Sequence, residues 1–588
     1  MTTAPESSWP ETAAEELRTA TPDRCACFTV TRDVGAVMRD GARLSANLFL
    51  PEGDEPWPTV LIRQPYGKDL AGSMWARGKY WARKGYACVI QDVRGTFGSR
   101  GEWAPFVHEA RDGWDTLGWL AQQPWCNGAI GMSGESYHGY TQWAVAALGH
   151  PNLKCISPGD TSPDPYRMSY RDGAFSLGIG LWVCMMSGGE VAAPDGWDPW
   201  RLPLVELDAA MGRHSPVLQE MLRHPSRDDF WDKVDMTPTL ADVRIPVLHW
   251  GGWYDIILQG TLLGWERTAA TREREGEGAE QRLIIGPTDH ARLPAVYGAS
   301  GVGGEGAPGA WCFDHVQRFF DRHLRGEADA LAGVAPVRVY VMGAERWREA
   351  SAWPLPETRY ADYYLRSGGG VNTGAGDGRL EPAPPGDEPP DHFDYDPARP
   401  VDVWLAESAW DLTWTLKDRA AAERRSDVLV YTSPALEEDL EVTGPVCVML
   451  YASSSAPDTD FTATLVDVFP DGYAHLVQEG IVRARYRRSD RAPELLTPGA
   501  VEEYTIDLLA TSHLFARGHR LRLEISSSNF SRFDRNPNSG GAFALDTICT
   551  TARQTVHHSR AYPSHITLPV IPPGAGVATP AAGGPLPD

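Results

Sequence analysis

The sequence has no apolar run of membrane-spanning length, no basic-then-apolar opening and no group of Cys and His at ligand spacing. Each absence excludes a class. A spanning helix needs about 18 or more consecutive apolar residues. The greasiest segment, Phe175 to Met186, is too short and carries Gly178 and Gly180. The opening Met-Thr-Thr-Ala-Pro-Glu has no signal-peptide character, so a cytoplasmic protein is expected. The nine cysteines are an odd number scattered from Cys25 to Cys549. Only Cys25 and Cys27 form a close pair, and nothing downstream completes a zinc site. Reduced thiols and no metal are expected. Positive charge is also scarce: Lys plus Arg number 54 against 78 Asp plus Glu, a net charge of −24. Such a chain repels nucleic acid and anionic membrane, so neither is an expected partner. No internal repeat is visible.

At 588 residues the chain is too long for one core, and its 22 Trp supply large surfaces to bury. Residues 1–30 are polar and Pro-bearing and read as a loose N-terminal arm. Residues 31–163 alternate short apolar strands with helical stretches. The strands are Thr59 to Ile62, Tyr86 to Ile90 and Ala129 to Met132. The helices are Met74 to Arg83, Glu109 to Gln122 and Tyr137 to Leu148. That rhythm predicts a mostly parallel sheet with helices on both faces. Residues 164–236 hold helical stretches, Val205 to Met211 and Val217 to Arg223, with no convincing strand, and read as an inserted helical cap. The α/β rhythm resumes over residues 237–355, with strands at Pro246 to Trp250 and Arg282 to Ile285. Residues 356–588 carry short β-type runs such as Val446 to Tyr451 and Leu521 to Ile525, which predicts an all-β jelly roll.

Gly134-Glu135-Ser136-Tyr137-His138-Gly139 sits between a strand and a helix. Strand, sharp turn, helix is the setting of a nucleophile elbow, where a strained Ser projects its hydroxyl from the sheet end. The match is G-x-S-x-x-G, with His138 where a Gly might stand. A Ser hydroxyl needs a base and an orienting acid. In an α/β-hydrolase these follow as Asp and then His, each on a loop after a later strand. Asp255 follows the strand ending at Trp250, and His290 follows the strand ending at Ile285. His138, His249, His315 and His323 lack that order and position. Asp289 adjoins His290 and is read as a surface or supporting residue rather than the orienting acid.

Several runs resemble the cocaine esterase and X-Pro dipeptidyl-peptidase family of serine hydrolases. They are Gly131 to Trp143, Arg63 to Lys68, Gln91 to Gly95, Gly252 to Asp255, Gly286 to His290, Phe320 to Gly326, Ser453 to Phe461 and Ser526 to Phe530. The resemblance covers about residues 35 to 572. It implies an α/β-hydrolase domain, a helical cap and a C-terminal jelly roll. It implies Ser136 as nucleophile, His290 as base and Asp255 as orienter. It also implies an oxyanion hole from the Tyr66 phenol and the Tyr137 backbone N–H. Tyr170 and Trp182 resemble aromatic pocket positions, with cap packing the other reading.

Two departures bear on the substrate. The family includes enzymes that hold a substrate amino group with carboxylates just after the catalytic Asp. Here Ile256, Ile257 and Leu258 follow Asp255, which leans the acyl pocket toward an uncharged group, with Ile257 as a wall. Residues 401–417, with Trp404, Trp410 and Trp414, do not read like the family's substrate loop, and Trp404 is a candidate pocket residue. The expected substrate is a small-molecule ester, or alternatively an amide, cleaved with no cofactor. A homodimer stays open, and a non-catalytic binding module is the remaining alternative.

Overall fold

The computed structural model describes residues 21–53, 56–69, 73–193, 195–275, 279–290, 310–372, 374–401 and 418–574. Its first unit is a ten-stranded sheet. From edge to edge the strands are Phe28–Val37, Arg43–Pro51, Ala87–Asp92, Trp57–Gln64, Cys126–Glu135, Leu153–Gly159, Val247–Tyr254, Gln281–Asp289, Val337–Val341 and Arg346–Ala350. The inner strands, from Ala87–Asp92 to Val337–Val341, run parallel, and an antiparallel strand or hairpin closes each edge.

The central strands are buried on both faces. Every residue of Ala87–Asp92 and of Val247–Tyr254 is buried, which is why they read as apolar runs. Alternation then divides the side chains between two cores. Val60 and Ile62 face Trp81 and Phe320 of the helices Ser73–Arg83 and Ala310–Arg325. Leu61 faces Leu117 and Trp143 of the helices Glu109–Ala121 and Tyr137–Ala146.

The edge hairpin corrects the expected arm. Phe28 and Val30 already pair with Pro51 and Phe49, so regular structure begins inside residues 1–30. Residues 1–20 lie outside the described residues.

Between Leu153–Gly159 and Val247–Tyr254 the chain forms short helices, including Pro165–Ser169, Leu177–Met185 and Pro216–Arg223. Local chemistry starts them. Asp164 accepts the N–H groups of Tyr166 and Arg167, and Ser215 accepts that of Leu218, with Pro216 in the first turn. A two-rung hairpin, Tyr170–Arg171 with Ala174–Phe175, adds strand where none was expected. These helices share a core with Phe530 and Ala544 of the C-terminal region.

The C-terminal region is all-β, with twelve strands in one hydrogen-bonded network. Its longest ladder joins Leu440–Ser454 to Glu502–Phe515 around an aliphatic and aromatic core. Among the described residues no helix is long and apolar enough to cross a membrane. All nine cysteines are free, including the neighbours Cys25 and Cys27.

Candidate active site

Ser136 stands between the strand Cys126–Glu135 and the helix Tyr137–Ala146, with φ 58° and ψ −127°. That left-handed backbone is costly for Ser and survives only when its surroundings over-determine it. The Ser136 N–H donates to the carbonyls of Gly159 (3.0 Å) and Asp160 (3.1 Å). Thr161 Oγ1 donates to the Ser136 carbonyl at 2.7 Å. The flanking glycines are needed for space: a Cβ on Gly134 would meet His138 Cβ at 2.5 Å, and one on Gly139 would meet Thr161 Cγ2 at 2.4 Å. His138 fits because its ring folds back, with Nδ1 2.6 Å from the Glu135 carbonyl.

Residues from three strand ends converge on this turn. His290 Nε2 lies 3.2 Å from Ser136 Oγ. His290 Nδ1 lies 3.1 Å and 3.2 Å from the two carboxylate oxygens of Asp255. Burial pushes the Asp255 carboxyl up, but attraction to His290, hydrogen bonds from Asp160 and His290, and the Ile257 N–H hold it below the usual carboxylate range. Burial pulls His290 down, but the charge and hydrogen bond of Asp255 outweigh it and raise the imidazole above its ordinary value. Asp289 is buried rather than on the surface, and it acts on His290 through its charge. His249 is a core residue, 3.0 Å from Gln281 Oε1.

The Tyr66 hydroxyl lies beside the Ser136 and Trp182 side chains, and both act on it. Burial pushes its phenol up to about 12, so it stays protonated and able to donate. Tyr137 is the first residue of its helix, where an N–H has no intrahelical acceptor. Its side chain is anchored away from that N–H, donating to Glu109 Oε1 at 2.8 Å and accepting the Phe106 N–H at 2.8 Å.

Residues 40–292 match the model of the X-Pro dipeptidyl-peptidase (S15) family, and residues 332–567 match that of the X-Pro dipeptidyl-peptidase C-terminal non-catalytic domain. A cocaine esterase of Rhodococcus sp. (strain MB1 Bresler) is 38% identical over an alignment of 582 positions that covers 92% of this chain and 99% of that one. The chain belongs to the S15 family of serine hydrolases. Two solved structures share its form. An alpha-amino acid ester hydrolase has TM-score 0.81 at 27% identity and covers 97% of this chain and 100% of its own. An aminopeptidase of a marine sediment Thaumarchaeota archaeon has TM-score 0.80 at 27% identity, covering 97% and 99%.

Other expected pocket residues of this S15 hydrolase fall differently. Tyr170 lies in the insertion core, stacked on Tyr166 at 5.5 Å, with its hydroxyl on the Met221 carbonyl at 3.0 Å. It packs the insertion rather than presenting a ring to substrate. The Ile257 side chain is 3% exposed, and what the residue gives the site is its backbone N–H on Asp255. Trp182 is half-buried, its ring 6.0 Å from Tyr137. Its buried N–H lies near the Tyr66 hydroxyl without the alignment of a full hydrogen bond. Trp404 lies outside the described residues.

Two contributors escaped sequence reasoning. Asp160 accepts the Gly252 N–H at 3.1 Å and touches the Asp255 carboxylate. The second is Gln478, which bonds the strand carrying Asp255 from the β region. Neither lies in a motif, and only the folded chain brings them near.

Proposed function

We propose that this chain hydrolyses a small-molecule carboxylic ester through an acyl-Ser136 intermediate. The observation that carries the reading is the line of contacts from Ser136 Oγ through His290 to Asp255, at 3.2 Å and 3.1 Å. His290 takes the Ser136 proton as Oγ attacks the ester carbon. Asp255 holds the imidazole tautomer and stabilises the imidazolium. The oxyanion accepts from the Tyr66 hydroxyl and the Tyr137 N–H, each donor contributing roughly 3–4 kcal/mol. His290 gives its proton to the leaving alcohol. A water, activated by the same His290, then releases the acid and restores Ser136.

Ester cleavage is favoured by similarity to a cocaine esterase along nearly the whole of both chains. The free cysteines and the lack of a described spanning helix support a cytoplasmic setting. The test is a panel of p-nitrophenyl acetate and butyrate, acyl amides and X-Pro anilides. The reading expects rapid turnover of the esters and slow or no turnover of the others. Faster cleavage of X-Pro anilides would make the chain a peptidase instead.

A further inference from the structure

The residue just before the nucleophile is charged and buried. Glu135 ends the strand Cys126–Glu135 and is 9% exposed. The elbow motif leaves this position free, so the fold does not demand an acid there. The Glu135 carboxylate meets Arg77 of the helix Ser73–Arg83 in a bidentate pair, with Nη1 to Oε2 at 2.7 Å and Nη2 to Oε1 at 2.5 Å. Arg77 is 4% exposed, and its guanidinium lies 5.6 Å from the centroid of the Phe313 ring. The pair ties the elbow to the helix that follows the Tyr66 segment. A planar guanidinium on both carboxylate oxygens fixes the direction of the carboxylate and offsets its charge.

The Glu135 charge reaches the reacting groups. On the Tyr66 phenol burial is the largest influence, and Glu135 adds to it. On His290 burial pulls the imidazole down, and Asp255, then Asp289 and Glu135, push it up. Arg77 in turn acts on the Cys88 thiol, which burial pushes up. A bare Glu135 carboxylate would do two things. It would oppose the negative charge that develops beside Tyr66 during attack. It would also keep His290 protonated to higher pH, although the base must be neutral. The Arg77 guanidinium offsets both effects.

We propose that Arg77 is a positioning residue of the reaction: it acts through Glu135, fixing and neutralising the carboxylate next to Ser136, so that the oxyanion site and His290 do not face a bare negative charge. The proposal rests on the triad and oxyanion hole of the esterase reading and adds a member to them.

The test is the pH profile of kcat and kcat/KM on p-nitrophenyl acetate for the wild type, Arg77→Met, Glu135→Gln, Arg77→Lys and the double variant Arg77→Met with Glu135→Gln, each with a melting curve. The same proteins are followed by the rate of fluorophosphonate labelling of Ser136, which needs an activated serine but no ester preference. Arg77→Met should lower the plateau kcat by roughly tenfold and move the acid limb up by roughly half a pH unit or more, the scale of one unit charge bared beside the site. Glu135→Gln should move the limb down, because it leaves the guanidinium uncompensated. The double variant should bring the limb and kcat back toward wild type, and Arg77→Lys should keep the limb in place. A merely structural pair would lower the melting temperature without opposite shifts of the limb. Should Arg77→Met not fold, the downward shift in Glu135→Gln decides alone. Limbs that coincide across the variants overturn the proposal and leave the esterase reading standing. Labelling of Ser136 without ester turnover in the wild type overturns the esterase reading, and the labelling profiles then decide on Arg77 by the same signs.

Discussion

Gln478 of the β region donates its side-chain amide to the Trp253 carbonyl at 2.9 Å, two residues before Asp255. The same amide also donates to the Ala510 carbonyl at 3.0 Å. Beside it, the Tyr254 hydroxyl donates to the Leu476 carbonyl at 3.0 Å and lies 3.0 Å from His475 Nε2. The strand end that presents Asp255 is therefore held by the β region as well as by its own sheet. Gln478→Leu should lower kcat by about tenfold or more with little change in KM, because a displaced acid misaligns His290. Steady-state kinetics with a melting curve decide the matter: a lower melting temperature at unchanged kcat would make the contact purely structural.

Asp255→Asn should keep the geometry but favour the wrong His290 tautomer, cutting kcat by a factor on the order of 10⁴. Asp289→Asn should be mild, since Asp289 acts on His290 through its charge, as a weaker cause than Asp255. Measuring kcat for both variants tests the assignment, and the reverse ranking would make Asp289 the orienting acid.

Tyr66→Phe removes one hydroxyl and keeps the ring, which packs 5.6 Å from that of His138. The expected loss is roughly 10²–10³-fold in kcat, the scale of one oxyanion donor. Thermal stability should barely move. A change confined to KM would mark Tyr66 as a pocket wall.

His290 must be neutral to accept the Ser136 proton, and Asp255 raises it above its ordinary value. Activity should therefore fall, as pH drops, through an acid limb lying above the ~6.5 of a free imidazole. In Asp255→Asn the raising charge is gone, so the limb should move to lower pH. For stability the sign is opposite: the raised His290 adds stability that is full below the unfolded-state value and is lost as pH rises through the folded one. A pH profile of kcat/KM for both proteins measures the first effect, and an acid limb that does not shift would mean another group titrates.

What was legible follows from where each signal resides. The inner strands were visible because burial on both faces leaves short apolar runs, as over residues 87–90 of the strand Ala87–Asp92. The edge strand Phe28–Val37 was not: its residues are mostly exposed or half-buried, and a bulge between Thr31 and Val34 breaks its alternation. The meeting of Ser136, Asp255 and His290 was legible because the α/β-hydrolase fold imposes their order and their places after strand ends. Asp160 and Gln478 were not, because their roles come from contacts across the fold, Gln478 lying 225 residues from Trp253. For Tyr170 the sequence leaves pocket and cap packing both open, because it does not carry the direction of a ring, and the stacking on Tyr166 fits the second.

The most direct measurement of the central claim is mass spectrometry of the protein after reaction with a fluorophosphonate, which traps an activated serine. The account predicts one adduct per chain, on the peptide bearing Ser136, and no adduct and no ester turnover in Ser136→Ala. An adduct on another residue, or a Ser136→Ala protein that still turns over p-nitrophenyl acetate at the wild-type rate, would contradict it.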